Sequence, residues 1–257
     1  KSKGENVEFT SDLLGPIASD AKLMEEIKSI IEQGIASSPA IDKINKEIIN
    51  IVFKLGYEMN VAQEFIRWID NFRSDDNVPL LLGLYDMLKH SKKGIFWTHS
   101  KSEKIVNSEL QALSAILLAL NEFFIFSATD FNLLAAIKDR KASCCAYSEA
   151  IYIIGNALGM NISFISVKET VFSEVNNGHL ACILNLPNSE KIIIDLVYGF
   201  TSEPFKVNEV FINKGHLWIK KEGLKEWHVH KVYKEINDIN EWIAIRFVNI
   251  GGLIGMI

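Results

Sequence analysis

The sequence predicts an α+β fold in which an antiparallel sheet packs on one central helix, preceded by a large helical region. Three observations predict it. Apolar residues recur at helical spacing through most of the first half. The pattern changes to short β-branched runs after Gly159. Between the two stands an apolar helix headed by adjacent cysteines. Helices followed by a block of strands make an α+β architecture rather than an alternating one.

The helices come first. Ser19 can cap a helix through Gln33, with Leu23, Ile27, Ile30 and Ile31 at helical spacing. Ser38-Pro39 is a helix start, and Ile41, Ile44, Ile48, Ile49 and Val52 carry the pattern to Gly56. Asn60 opens another, with Val61, Phe65, Ile66 and Ile69 on one face, and Pro79 to Leu88 gives a fourth. Ser108 to Phe124 is long and apolar enough to be a buried helix, and Asp130 can cap a short one ending near Arg140. Strands follow at Ile162 to Val167, His179 to Leu186 and Ile192 to Val197. The last two flank Pro187-Asn188-Ser189 and form a hairpin. Leu217 to Lys221 and Trp227 to Tyr233 read as further strands, and Asp238 onward is helical until its glycines. The division expected is a helical region over 1–135, completing or flanking the core, and the core with an extension over 136–257.

Composition removes several function classes. Hydrophobic residues are 48% and charged residues 23%, an ordinary globular balance. Net charge is −5 with Lys and Arg dispersed, so no nucleic-acid partner is expected. The most apolar run, Ala112 to Phe126, is interrupted by Asn121 and Glu122, and no membrane span is expected. The three cysteines, Cys144, Cys145 and Cys182, are too few for a disulfide scaffold and form no CxxC pair, so neither a metal nor a cofactor is expected. Lys1 in place of Met fits a removed leader or a trimmed chain, and leaves a cytoplasmic and an exported, bacterial-type location both open. The first-half helices or the last helix offer a face for a protein partner.

Three residues carry chemistry. Lys141 to Ser148 is a loop entering a helix, and that helix places Tyr147, Ile151, Ile154 and Leu158 on one stripe. Cys144 lies one turn before Tyr147 on the stripe, so its thiol points inward at the helix N-terminus. Unpaired N–H groups and the positive dipole end stabilise a thiolate there, and a thiolate attacks carbonyls. Cys145 is rotated about 100° away. His179 starts a strand after an Asn176-Asn177-Gly178 turn, sharing a face with Ala181 and Ile183. Asp195 follows three isoleucines on the next strand, where a carboxylate needs a partner. Hairpin pairing brings it beside His179, to orient the imidazole.

The order and spacing resemble the transglutaminase-like superfamily, a branch of the papain-like cysteine enzymes. The family has a Cys at a helix start, an aromatic-small pair three and four residues on, a Gly fifteen residues on, then a His opening a strand and an Asp about sixteen residues beyond. Here these are Cys144, Tyr147-Ser148, Gly159, His179 and Asp195. Counting fifteen back from Gly159 also selects Cys144 over Cys145. The departures are Ala142-Ser143 where a Gly often stands, Leu180-Ala181-Cys182 in place of Ala-Trp after the His, and Asp195-Leu196 in place of Asp-Pro. The resemblance implies a transglutaminase-like core and a Cys144–His179–Asp195 triad performing acyl transfer through a thioester. The substrate is a peptide or protein, and the enzyme a peptidase, amidase or transglutaminase. Hydrolysis is preferred because no second amine site is visible. The alternative is a non-catalytic interaction domain that keeps the fold.

Other polar residues have plainer readings. His228 and His230 lie on one strand face without a third ligand, and His90, His99 and His216 sit among polar residues as surface positions. Cys182 is expected in the core, Glu149 in an ion pair or on a solvated face, and Trp97 and Trp218 in the core or an interface.

Overall fold

The computed structural model describes residues 38–73, 79–93, 99–128, 132–170, 174–206, 209–213, 216–220 and 230–254. The helix expected from Ser19 to Gln33 lies outside them. Four helices come first: α1 (Ser38–Lys54), α2 (Met59–Ile69), α3 (Leu80–Lys92) and α4 (His99–Phe123). The start of α4 is earlier than the apolar run at Ser108 suggested. The polar stretch before it is helix-compatible, and Ile105 and Val106 give it a buried face. A two-residue strand β1 (Ile125–Phe126) pairs in parallel with β2 (Lys141–Ala142), and α5 (Leu133–Asp139) lies between them. Asn132 caps α5, accepting from the N–H groups of Leu134 and Ala135; the expected cap, Asp130, lies outside the described residues. Then comes α6 (Cys144–Ala157), the central helix.

The main sheet is antiparallel, in the order β10 (His230–Ile236), β3 (Ile162–Thr170), β4 (Glu174–Asn185), β5 (Glu190–Asp195), β6 (Phe200–Thr201), with β7 (Phe205–Lys206) also on β5. A separate hairpin joins β8 (Glu209–Asn213) and β9 (His216–Lys220). The expected hairpin is present, with Cys182 opposite Ile194 and Ile183 opposite Ile193. One local expectation fails. Asn176-Asn177-Gly178 is not a turn but lies within β4, because β3 and β4 pair out to Glu169 and Glu174 and the reversal comes before Glu174. The last helix, α7 (Ile239–Ile254), runs through Gly251 and Gly252. Glycine costs a helix about 1 kcal/mol but, unlike proline, does not stop it sterically.

Alternation along the strands fills two cores. Phe164, Leu180, Cys182, Leu184, Ile192 and Ile194 join α6 and the helices in one cluster. Ile165, Val167, Ala181, Ile183 and Ile193 form the opposite row, covered by Phe205 and Tyr233. Helix α6 therefore sits between the first-half helices and the sheet, and Cys145 through Ile151 are all buried. This is the helix-on-antiparallel-sheet core that the resemblance implied. Contact there is close enough to need a glycine. A Cβ on Gly155 would stand 2.1 Å from Ile162 Cδ1. Gly155→Ala is expected to lower stability by about 1–2 kcal/mol, overpacking outweighing the helix propensity gained. Ile162→Val in the same chain should recover part of it in urea denaturation.

Helix α7 docks through Trp242, whose ring stacks on Phe164 of β3 at 3.6 Å between centroids. Its neighbour Arg246 reaches the carbonyl of Leu55 at 3.0 Å and Glu149 of α6 at 3.2 Å.

Candidate active site

Cys144 is the first residue of α6, where the leading N–H groups of the helix have no intrahelical partner. Ser143, at the cap position, makes no side-chain bond to the helix, and its Oγ is buried without a partner. The first-turn donors thus remain available to the Cys144 sulfur. Cys144 is partly exposed while Cys145 is fully buried. This corrects one reason for choosing between them. The helix is buried over most of its surface, with Cys144, Tyr152 and Asn156 half-buried, and Cys144 stands out as the thiol that solvent can reach.

The hairpin supplies the other two groups. Strand β5 pairs with β4 only from Cys182 onward, so His179 and Asp195 meet at its open end. His179 Nε2 is hydrogen-bonded to Asp195 Oδ2, and both side chains are buried. The second oxygen, Oδ1, accepts from Val197 N–H at 3.0 Å and Tyr198 N–H at 3.4 Å, which fixes the carboxylate. With Nε2 engaged, Nδ1 is left for the hydrogen bond between His179 and the Cys144 sulfur.

The electrostatics follow from these contacts. The Cys144 thiol is held well below its ordinary range by a hydrogen bond from the Cys145 thiol, opposed by burial and reinforced by the hydrogen bond and charge of His179 and by Leu180 N–H. A thiol is a weak donor, so the imidazolium is the stronger physical cause. Burial depresses the His179 imidazole, but Asp195 and Cys144 outweigh it and raise it to about 9. Both shifts favour a thiolate–imidazolium pair. Cys182 behaves oppositely. It is fully buried, donates to Ser148 O at 3.3 Å and is pushed up by burial, as a core thiol should be.

Sequence reasoning missed several groups. Tyr198 places its ring edge-on to His179 with centroids 5.0 Å apart. Asp195 accepting N–H groups two and three residues ahead is an Asx-turn, a pattern that could have pointed to Tyr198. Tyr147, noted only as an aromatic, donates its hydroxyl to Phe124 O at 3.0 Å and stays protonated, burial raising it to about 12. Of the two readings of Glu149, the structure shows the ion pair, with Arg246, and not the solvated face. The residue is fully buried in α6 and accepts from Tyr57 Oη at 2.7 Å, and from Trp242 Nε1 and Arg246 Nη1 at 3.2 Å each. Burial raises its pKa, opposed by the Arg246 charge and these bonds.

His90 is exposed and bonds Asp86 O through Nδ1 at 2.7 Å. His228 and Trp97 lie outside the described residues, as do the side chains of His99, His216, Trp218 and His230. Among the described residues, no group of three or more His, Cys, Asp or Glu could hold a metal ion, and no helix is long and apolar enough to cross a membrane.

Fold and site together define an α+β protein in which a thiol on the first residue of a helix faces an imidazole–carboxylate pair on the adjoining sheet. Among solved structures, the chain is similar to Legionella pneumophila LapG after EGTA treatment, at 15% identity and a TM-score of 0.35, over 81% of this chain and 97% of that one. A second LapG structure from the same organism gives 16% identity and a TM-score of 0.33, over the same shares. A likeness at this level assigns neither chemistry nor substrate. No family profile and no curated protein matches the sequence.

Proposed function

We propose that this chain is a cysteine peptidase or amidase of the transglutaminase-like superfamily, with Cys144 as nucleophile, His179 as acid and base, and Asp195 as its orienting partner. The observation that supports it most is a depressed thiol beside an imidazole raised to about 9, itself backed by a buried carboxylate. The Cys144 thiolate attacks an amide carbonyl and a C–S bond forms. As the C–N bond breaks, His179 gives its proton to the departing amine. Water then adds to the thioester, His179 takes the proton, and the C–S bond breaks to return the thiolate. The Cys144 backbone N–H, unpaired in the first helical turn, is suited to the carbonyl oxygen as it gains charge.

The pH dependence follows with its sign. Below the lowered thiol pKa both groups are protonated and the nucleophile is lost. Above about 9 His179 loses its proton, and the leaving amine its acid. Turnover should therefore hold a plateau that falls off near pH 9. Alkylation by iodoacetamide, which needs only the thiolate, should switch on well below an ordinary thiol and continue beyond pH 9. Mass spectrometry should find the label on Cys144, with Cys182 unlabelled in the folded protein. Alkylation rising only near the usual thiol range of about 8.5 would favour a non-catalytic domain instead. Added amine acceptors that leave the product a free acid support hydrolysis over transfer.

A further inference from the structure

Asp195 ends β5, Phe200 opens β6, and the two are register partners, so Leu196 to Gly199 make a tight turn between them. Gly199 N–H closes the turn on Leu196 O at 3.2 Å, and Gly199 holds a φ of 60°, a left-handed conformation that glycine adopts without strain. The turn is also tied from within, because Asp195 Oδ1 accepts from Val197 and Tyr198 N–H. The carboxylate that engages His179 through Oδ2 therefore fixes the backbone of Tyr198 through Oδ1. From there the Tyr198 ring lies edge-on to the imidazole, with centroids 5.0 Å apart and planes at 70°. His179 is buried while Tyr198 is 40% exposed, so the phenol ring is part of the cover between the imidazole and solvent. Burial first, and then the charges of Asp195 and Cys144, hold the Tyr198 phenol above its ordinary range. One side chain thus packs on His179 within the field of both groups that His179 joins.

The outer torsion of a histidine is soft, so its neighbours decide where the ring points. Hydrogen bonds to Asp195 and to the Cys144 sulfur both lie near the imidazole plane, and they leave the ring able to rock about the line through them. An aromatic ring packed across that plane blocks the rocking. We propose that Tyr198 is a positioning residue, whose ring holds the His179 imidazole in line between Asp195 and Cys144. It acts through His179 and not on the substrate. The proposal rests on the functional reading above.

The test needs no substrate. The iodoacetamide labelling rate of Cys144 at pH 6, divided by the rate at pH 10, reports how far the thiol is ionised, and access to the thiol cancels from the ratio. Tyr198→Ala should lower this ratio about threefold or more, because a rocking imidazole stabilises the thiolate only part of the time. Tyr198→Phe keeps the ring and should keep the ratio. Urea denaturation shows whether each variant is folded. If Tyr198→Ala is not, Tyr198→Leu, with a flexible and non-planar side chain, replaces it under the same expectation. A ratio unchanged by loss of the ring, whatever happens to stability, overturns the proposal, while the activated thiol of the wild type leaves the functional reading standing. A Phe variant that falls as far as the Ala variant assigns the effect to the hydroxyl and overturns it too. A wild-type ratio matching an ordinary thiol removes the functional reading, and the positioning role with it.

Discussion

Cys144→Ala is expected to reduce turnover by roughly 10⁴-fold or more on any substrate the wild type cleaves, with the melting curve preserved. The fold is indifferent because one small residue replaces another at a partly exposed helix start. His179→Ala should lose turnover almost as completely, and at pH 6 should slow iodoacetamide labelling at least about tenfold. An ordinary thiol is thiolate to only about one part in three hundred there, and the higher intrinsic nucleophilicity of such a thiolate returns part of the loss. Part of the depression will survive His179→Ala through Cys145 and Leu180 N–H. Asp195→Asn should cost less than loss of the nucleophile, since Asp195 makes no bond to substrate and acts by holding the ring. Equal labelling of wild type and His179→Ala at pH 6 would remove the activated thiol.

Arg246→Met is expected to lower stability by about 3–5 kcal/mol at pH 7. It strands the fully buried Glu149 carboxylate with two neutral donors and no counter-charge. The pH dependence distinguishes this from lost packing. A carboxyl whose folded pKa is raised above its unfolded value contributes stability that is present at low pH and lost as pH rises through the folded pKa. Burial already raises Glu149, and removing Arg246 raises it further. The deficit of the variant, read by urea denaturation, should therefore shrink as pH falls from 7 toward 5. A deficit that stays constant over that range would point to the missing side-chain volume instead.

The three candidate site residues were legible because each is announced locally. Cys144 heads an apolar helix, His179 lies on an alternating strand, and Asp195 closes an apolar run on the next. The antiparallel hairpin then brings the last two together. What failed was reasoning from a helical stripe. Burial reaches nearly all of α6, so apolar periodicity could not say which cysteine solvent reaches. The partners of Glu149 were illegible for a different reason. Tyr57, Trp242 and Arg246 lie 92, 93 and 97 residues away, and nothing local in sequence marks such a pairing. Element ends failed where pairing or packing extended them, as at the start of β4 and of α4.

The same clamp sets when a newly made chain can complete its fold. Arg246 joins a carbonyl 191 residues earlier and a carboxylate 97 residues earlier, so these are among the most non-local bonds in the molecule. Closing them waits until α7 has left the ribosome, long after Cys144 has emerged. Until then the helix that Cys144 heads carries an uncompensated acid at its centre and has no reason to settle between the other helices and the sheet. A growing chain would thus display an ordinary thiol, and the reactive one would arise only with the completed fold.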